Sequence, residues 1–139
     1  MCTPAKEDKV STRPHPEFER AEHGPLQSFD LGAEISRLRG EKEWQWGRRN
    51  AITLRKGEGL NVVLLVMKDG DRLEEHSAPG PLSLLVREGR VRFTTADGSV
   101  EAGPETLLAC DARVKHRVEA LGDTVCLLSV ATGGARSPG

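Results

Sequence analysis

No stretch of the chain reaches about eighteen consecutive apolar residues, the length a membrane-spanning helix needs. The opening segment, MCTPAKEDKVSTRPHPEFER, holds no apolar core of the kind a secretory signal carries. Cysteine is scarce. Cys2, Cys110 and Cys126 are odd in number, widely spaced and free of CxxC, which argues against a disulfide framework and against a zinc site. A Cys110–Cys126 bridge requires neighbouring strands; otherwise both read as small core hydrophobes. A reducing cytoplasm is the expected setting. Excess charge is missing too. Lys and Arg number 20 against 21 Asp and Glu, a formal net charge of -1. That gives no whole-chain electrostatic case for nucleic acid or an anionic membrane. Arg48, Arg49, Arg55 and Lys56 form a local basic cluster, which reads as a solvated face. There is no phosphate-cradling Gly-rich loop, no paired-carboxylate motif, no activated nucleophile, no helix-turn-helix pattern and no internal repeat.

What remains is a chain of 139 residues, 37% hydrophobic, enough for one domain with a modest core. Residues 1–26 are rich in charge, Pro, Ser and Thr and are expected to be flexible. His15 and His23 there read as solvated, and Phe18 could dock on the domain or on a second subunit. Residues 27–49 are a helix and lead-in that pack on the main body. The helix lies in Ser28–Trp44, with Ser28 or Asp30 as cap, Leu31, Ile35 and Leu38 on one face, and Gly40 as a stop. Trp44 and Trp46 flank Gln45, a period of two that predicts an extended segment with both indoles on one side. They either pin the helix to a sheet or floor a pocket; pinning is the better reading.

Residues 50–132 read as strands. Leu60–Lys68 is a continuous apolar run short enough to be a strand buried on both faces. Further strand-like segments follow, RLEEHSA, LSLLVRE, VRFTT, SVEA, TLLAC, HRVEA and TVCLLSVA, separated by turns such as Asp97-Gly98 and Gly122-Asp123. About eight short strands with frequent turns predict an all-β sandwich or closed barrel. Residues 133–139 read as a second flexible tail.

Two segments carry one histidine each: GDRLEEHSAPGPLSLLVREG, with His76, and KHRVEALGDTVCLL, with His116. On these residues the chain resembles the cupin superfamily, and in particular small single-domain RmlC-like jelly-roll cupins. The resemblance covers about Leu54 to Ala131. The first cupin motif is written G-x5-H-x-H-x3,4-E-x6-G. Gly70, His76 and Gly89 match it, while Ala78 stands at the second histidine and Leu82 or Ser83 at the glutamate. The second is written G-x5-P-x-G-x2-H-x3-N. His116 matches, while Glu105, Asp111, Arg113 and Ala120 stand at its opening glycine, proline, inner glycine and asparagine.

The resemblance implies a double-stranded β-helix, or jelly roll, in which His76 and His116 face one cavity. Of the four usual metal ligands, two remain. The first expectation is therefore a small-molecule-binding barrel of unassigned ligand, its pocket lined by His76, His116, Ala78, Leu84, Val86, Phe93 and Val118. The alternative is a metal-dependent enzyme of dioxygenase or isomerase type. Strict alternation would put Glu74 on the face of His76. Glu74, His76 and His116 would then form a two-histidine, one-carboxylate set for a divalent metal such as Fe, Mn, Ni or Zn. A third reading is a homodimeric interaction module; a homodimer is expected in any case. Lys115 should point outward.

Overall fold

The computed structural model describes residues 23–132; the expectations for 1–22 and 133–139, including those for His15 and Phe18, lie outside the described residues. Among the described residues are two short helices, α1 (Leu31–Gly40) and α2 (Lys42–Gln45), followed by nine strands. These are β1 (Arg49–Lys56), β2 (Leu60–Met67), β3 (Arg72–His76), β4 (Leu82–Glu88), β5 (Val91–Thr95), β6 (Gly98–Ala102), β7 (Leu107–Cys110), β8 (His116–Ala120) and β9 (Thr124–Ala131). They form a five-stranded sheet in the order β1-β2-β9-β4-β7 and a four-stranded sheet in the order β3-β8-β5-β6. All pairings are antiparallel. The jelly-roll expectation is met.

Asp30 caps α1, its carboxylate accepting from the Ala33 N–H at 3.1 Å. The helix buries Ile35 and Leu38 against Ile52, Leu54, Leu64, Val66 and Val125, the outer face of β1, β2 and β9. Chain order alone did not reveal the residue that locks this junction. Asn50 is 5% exposed. Its amide donates to the Leu38 carbonyl and to Glu41 Oε1, both at 3.0 Å, so β1 closes the end of the helix it supports.

The structure corrects the tryptophan prediction. The chain is not extended at Trp44 and Trp46. Trp44 lies in α2 and Trp46 caps it, and in one turn of helix residues two apart diverge. Trp44 packs against the helix-side core with Lys68 Nζ 4.9 Å from its ring centroid. Trp46 is 85% exposed and joins no core cluster among the described residues.

The apolar run of β2 is buried on both faces only over Leu64–Met67; nearer its start it is half-open. Leu64 and Val66 join the helix side, and Leu65 and Met67 join the space between the sheets. That inner space is filled mainly by Leu84, Val86, Val91, Phe93, Ala102, Val118 and Cys126. The outer face of the four-stranded sheet is charged. Arg72, Glu119, Arg92 and Glu101 stand in one cross-strand row, with Arg92 bonded to Glu119 at 3.3 Å and to Glu101 at 3.0 Å. Opposite charges paired across strands explain how this face tolerates water while its reverse is apolar.

Cys110 and Cys126 cannot bridge. Strands β7 and β9 flank β4 on opposite sides, where Cys110 pairs with Leu82 and Cys126 with Val86. Two strand spacings plus four residues of offset far exceed the reach of a disulfide.

Candidate functional site

Strand β3 ends at His76 and β8 begins at His116, and the two residues are cross-strand partners. Their ring centroids are 4.4 Å apart in an edge-to-face arrangement. His116 is 3% exposed and stacks on Phe93, with centroids 5.0 Å apart and 12° between planes. His76 is exposed. The sequence-predicted histidine pair is therefore brought together, one ring seated in the core and the other open to solvent.

Each imidazole is oriented by the backbone carbonyl two residues before it. His76 Nδ1 is 2.8 Å from the Glu74 carbonyl oxygen, and His116 Nδ1 is 2.9 Å from that of Val114. A carbonyl oxygen only accepts, so the neutral rings carry their proton on Nδ1. Both Nε2 atoms are then acceptors, and among the described residues neither is engaged in a hydrogen bond.

Glu74 does not join them. Leu73 pairs with Val118 and His76 with His116, so three steps on β3 match two on β8. The extra residue is a bulge, and it breaks the alternation on which the Glu74 prediction rested. Leu73 packs on the inner cluster and His76 meets the buried His116 ring, while Glu74 and Glu75 are both exposed. Among the described residues no three His, Cys, Asp or Glu side chains form a group able to hold a metal ion.

The apolar residues of the predicted pocket are buried: Leu84, Val86, Phe93 and Val118 are 0–6% exposed and belong to one core cluster. Ala78 is half-buried at the mouth, where its carbonyl accepts from the Arg113 N–H at 2.8 Å. That bond ties the β3–β4 loop to the β7–β8 loop. Lys115 is exposed.

Cys110 was read from sequence as a small core hydrophobe unless its strand neighboured that of Cys126. It packs on the inner cluster at the end of β7 that leads to His116. Burial, and then the Asp111 carboxylate, push its thiol pKa up, which holds it protonated and unreactive near neutral pH. Burial pushes the Cys126 thiol further, to about 12.

The backbone explains the partial motif match. Gly70 and Gly89 take φ of 84° and 85°, the left-handed conformation glycine adopts freely. Glu105 and Arg113 stand where the second motif has glycine, and they take φ of 68° and 65°. The turn geometry is kept although the glycines are not.

Comparison with solved structures gives the same architecture. A cupin superfamily protein from Desulfitobacterium hafniense is 20% identical with a TM-score of 0.60, covering 61% of this chain and 78% of that one. The fold is the cupin fold. An RmlC-like cupin from Desulfovibrio desulfuricans is 21% identical with a TM-score of 0.56, over 82% of this chain and 96% of that one. A conserved protein of unknown function from Streptococcus pyogenes is 17% identical with a TM-score of 0.63, over 81% and 93%. No family model matches the sequence, and no curated protein matches it. Among the described residues no helix of this cupin-fold chain is long and apolar enough to cross a membrane.

Proposed function

We propose that this chain is a small-molecule-binding cupin barrel whose ligand is held at the mouth, against His76 and His116. The observation that carries this reading is the cross-strand histidine pair with both Nδ1–H groups engaged by backbone carbonyls. It offers two adjacent Nε2 acceptors, one of them at the surface. A small polar compound bearing hydrogen-bond donors is the matching chemistry. With the apolar residues behind the pair buried and His76 exposed, the mouth is the favoured place for such a ligand.

A resident divalent metal fits this donor set poorly. Two imidazoles with no third ligating side chain beside them among the described residues lack the carboxylate or further imidazole that gives a metal site affinity and selectivity. The test is elemental analysis of protein purified without a polyhistidine tag, repeated on the His76→Ala/His116→Ala double variant. The expected result is no stoichiometric metal in either. Stoichiometric Fe, Mn, Ni or Zn that disappears in the double variant would replace this reading with a metal-dependent enzyme.

The reading includes a homodimer in a cytoplasmic setting. Sheet-edge strands β6 and β7 leave Val100 53% and Leu107 61% exposed, which supports pairing with a second copy. Sedimentation as a compact monomer would remove the dimer.

A further inference from the structure

The outer face of the five-stranded sheet carries a second depression, on the side of the molecule away from the histidines. An open groove of about 500 Å³ runs between the segment entering α1 and strands β1, β2 and β9. Leu26, Phe29, Leu31, Leu60, Val62 and Leu127 line it, and Leu26 and Leu60 are 87% and 40% exposed. A second depression of about 660 Å³ adjoins it and shares Pro25 and Arg55. Its other lining includes His23, Lys56 and one carboxylate, Glu58. An apolar trough thus opens onto a basic shelf.

Arg55 is placed there by a distortion of β1. Thr53 pairs with Val63, but Arg55 pairs with Val62, so Leu54 is an extra residue. Ile52 and Leu54 both face the helix side, and simple alternation would turn Arg55 inward between the sheets. The bulge turns it outward instead, onto the face of Val62. Arg55 Nη1 donates to the Gly24 carbonyl at 3.0 Å and to Gln27 Oε1 at 2.9 Å. Those bonds hold the guanidinium where the two depressions meet. No carboxylate pairs with Arg55 or Lys56 among the described residues, and Arg55 Nε and Nη2 make no hydrogen bond there. Arg48 and Arg49, by contrast, are both engaged by Asp71.

We propose that this bipartite groove binds a free amphipathic anion, an apolar body ending in a carboxylate, with the tail against Leu60 and Leu127 and the head on Arg55. The charge complement selects the occupant. An apolar trough alone would accept any hydrophobe, whereas a guanidinium at its end with no carboxylate partner among the described residues favours an acid over the matching alcohol or cation.

The test is calorimetric titration of the full chain with monomeric decanoate, decanol and decyltrimethylammonium. Decanoate is expected to bind at least about tenfold more tightly than the other two, the scale of one charge-assisted hydrogen bond. Arg55→Gln should remove that preference while leaving decanol unchanged, and Leu60→Ser should weaken all three. Equal binding of acid and cation overturns the proposal, as does an unchanged preference in Arg55→Gln. Absence of decanoate binding overturns it too. Self-association that Leu60→Ser abolishes and decanoate leaves intact would make a second copy of the chain the occupant, again against the proposal.

Discussion

Cys126 should make the protein lose stability in alkali. Its side chain is 0% exposed at the centre of the larger sheet, paired with Leu65 on one side and Val86 on the other. Burial pushes its pKa from 9.0 to about 12, because a thiolate there would have no water. Above pH 9 the unfolded chain releases this proton and the folded chain keeps it. The unfolded state then binds fewer protons, so stability falls as pH rises, by about 1.4 kcal/mol per pH unit between 9 and about 12. At pH 10.5 that amounts to roughly 2 kcal/mol. Cys126→Ala removes this slope but leaves a small cavity, which costs on the order of 1 kcal/mol at neutral pH. The wild type is therefore the more stable at pH 7, and the two stability curves cross near about pH 10. The assay is urea unfolding of both proteins under reducing conditions across this range, followed by tryptophan fluorescence. Lysine titration and the raised Cys110 are common to both proteins and cancel in the difference. The chain has no tyrosine, so thiolate absorbance can be followed in parallel without phenolate beneath it. Stability curves that stay parallel from pH 7 to pH 11 would refute the reasoning.

Two further substitutions probe how the barrel is closed. Asn50→Ala removes the amide that donates to Leu38 and Glu41 and should destabilise by about 1–3 kcal/mol, the cost of buried acceptors losing a donor; an unchanged urea midpoint would mean that water replaces it. Arg113→Gly should stabilise by about 0.5–1 kcal/mol, because relief of left-handed strain exceeds the added freedom of the unfolded chain. Ala112→Gly, beside it and outside the positive-φ region, should instead destabilise, and stabilisation by both would rule out the strain argument.

The turns and the apolar periodicity made most of the fold legible. Gly-Asp, Asp-Gly and Gly-Pro pairs delimit the strands, and each histidine fell on a strand end. The Glu74 expectation failed for a physical reason. A period-two argument assumes an unbroken strand, and Glu74 lies at a bulge, in the step between Leu73 and His76. Arg55, read as part of a solvated basic cluster, is half-buried, and a second bulge at Leu54 sets the face it takes. A bulge is one residue of register, fixed by packing on both sides of the strand, and no residue type at Leu54 or Glu75 announces it. The tryptophans failed for a related reason: two residues separated by one fit an extended segment and a single helical turn equally well. Asn50 carried no signal, because its partners, the Leu38 carbonyl and Glu41, are defined only once the helix has ended.

The glycine positions show what survives at the site. Gly70, Gly89, Glu105 and Arg113 all hold positive φ, and the Arg113 N–H still bonds the Ala78 carbonyl across the mouth. The scaffold that presents a cupin site is thus maintained, in part at strained residues, although two ligand positions hold Ala78 and Leu82 or Ser83. What the scaffold presents is then set by the histidine tautomers. Nitrogen-15 correlation spectra, recorded at a pH where both rings are neutral, should show protonated Nδ1 and bare Nε2 at His76 and at His116 alike. His76→Ala should leave the His116 pattern unchanged, because the carbonyl of Val114, two residues before it in the β7–β8 loop, sets it. A protonated Nε2 at either ring would mean that the carbonyl bond is absent. The mouth would then offer a donor where a donor-bearing ligand needs an acceptor, and the ligand chemistry inferred from the pair would be reversed at that ring.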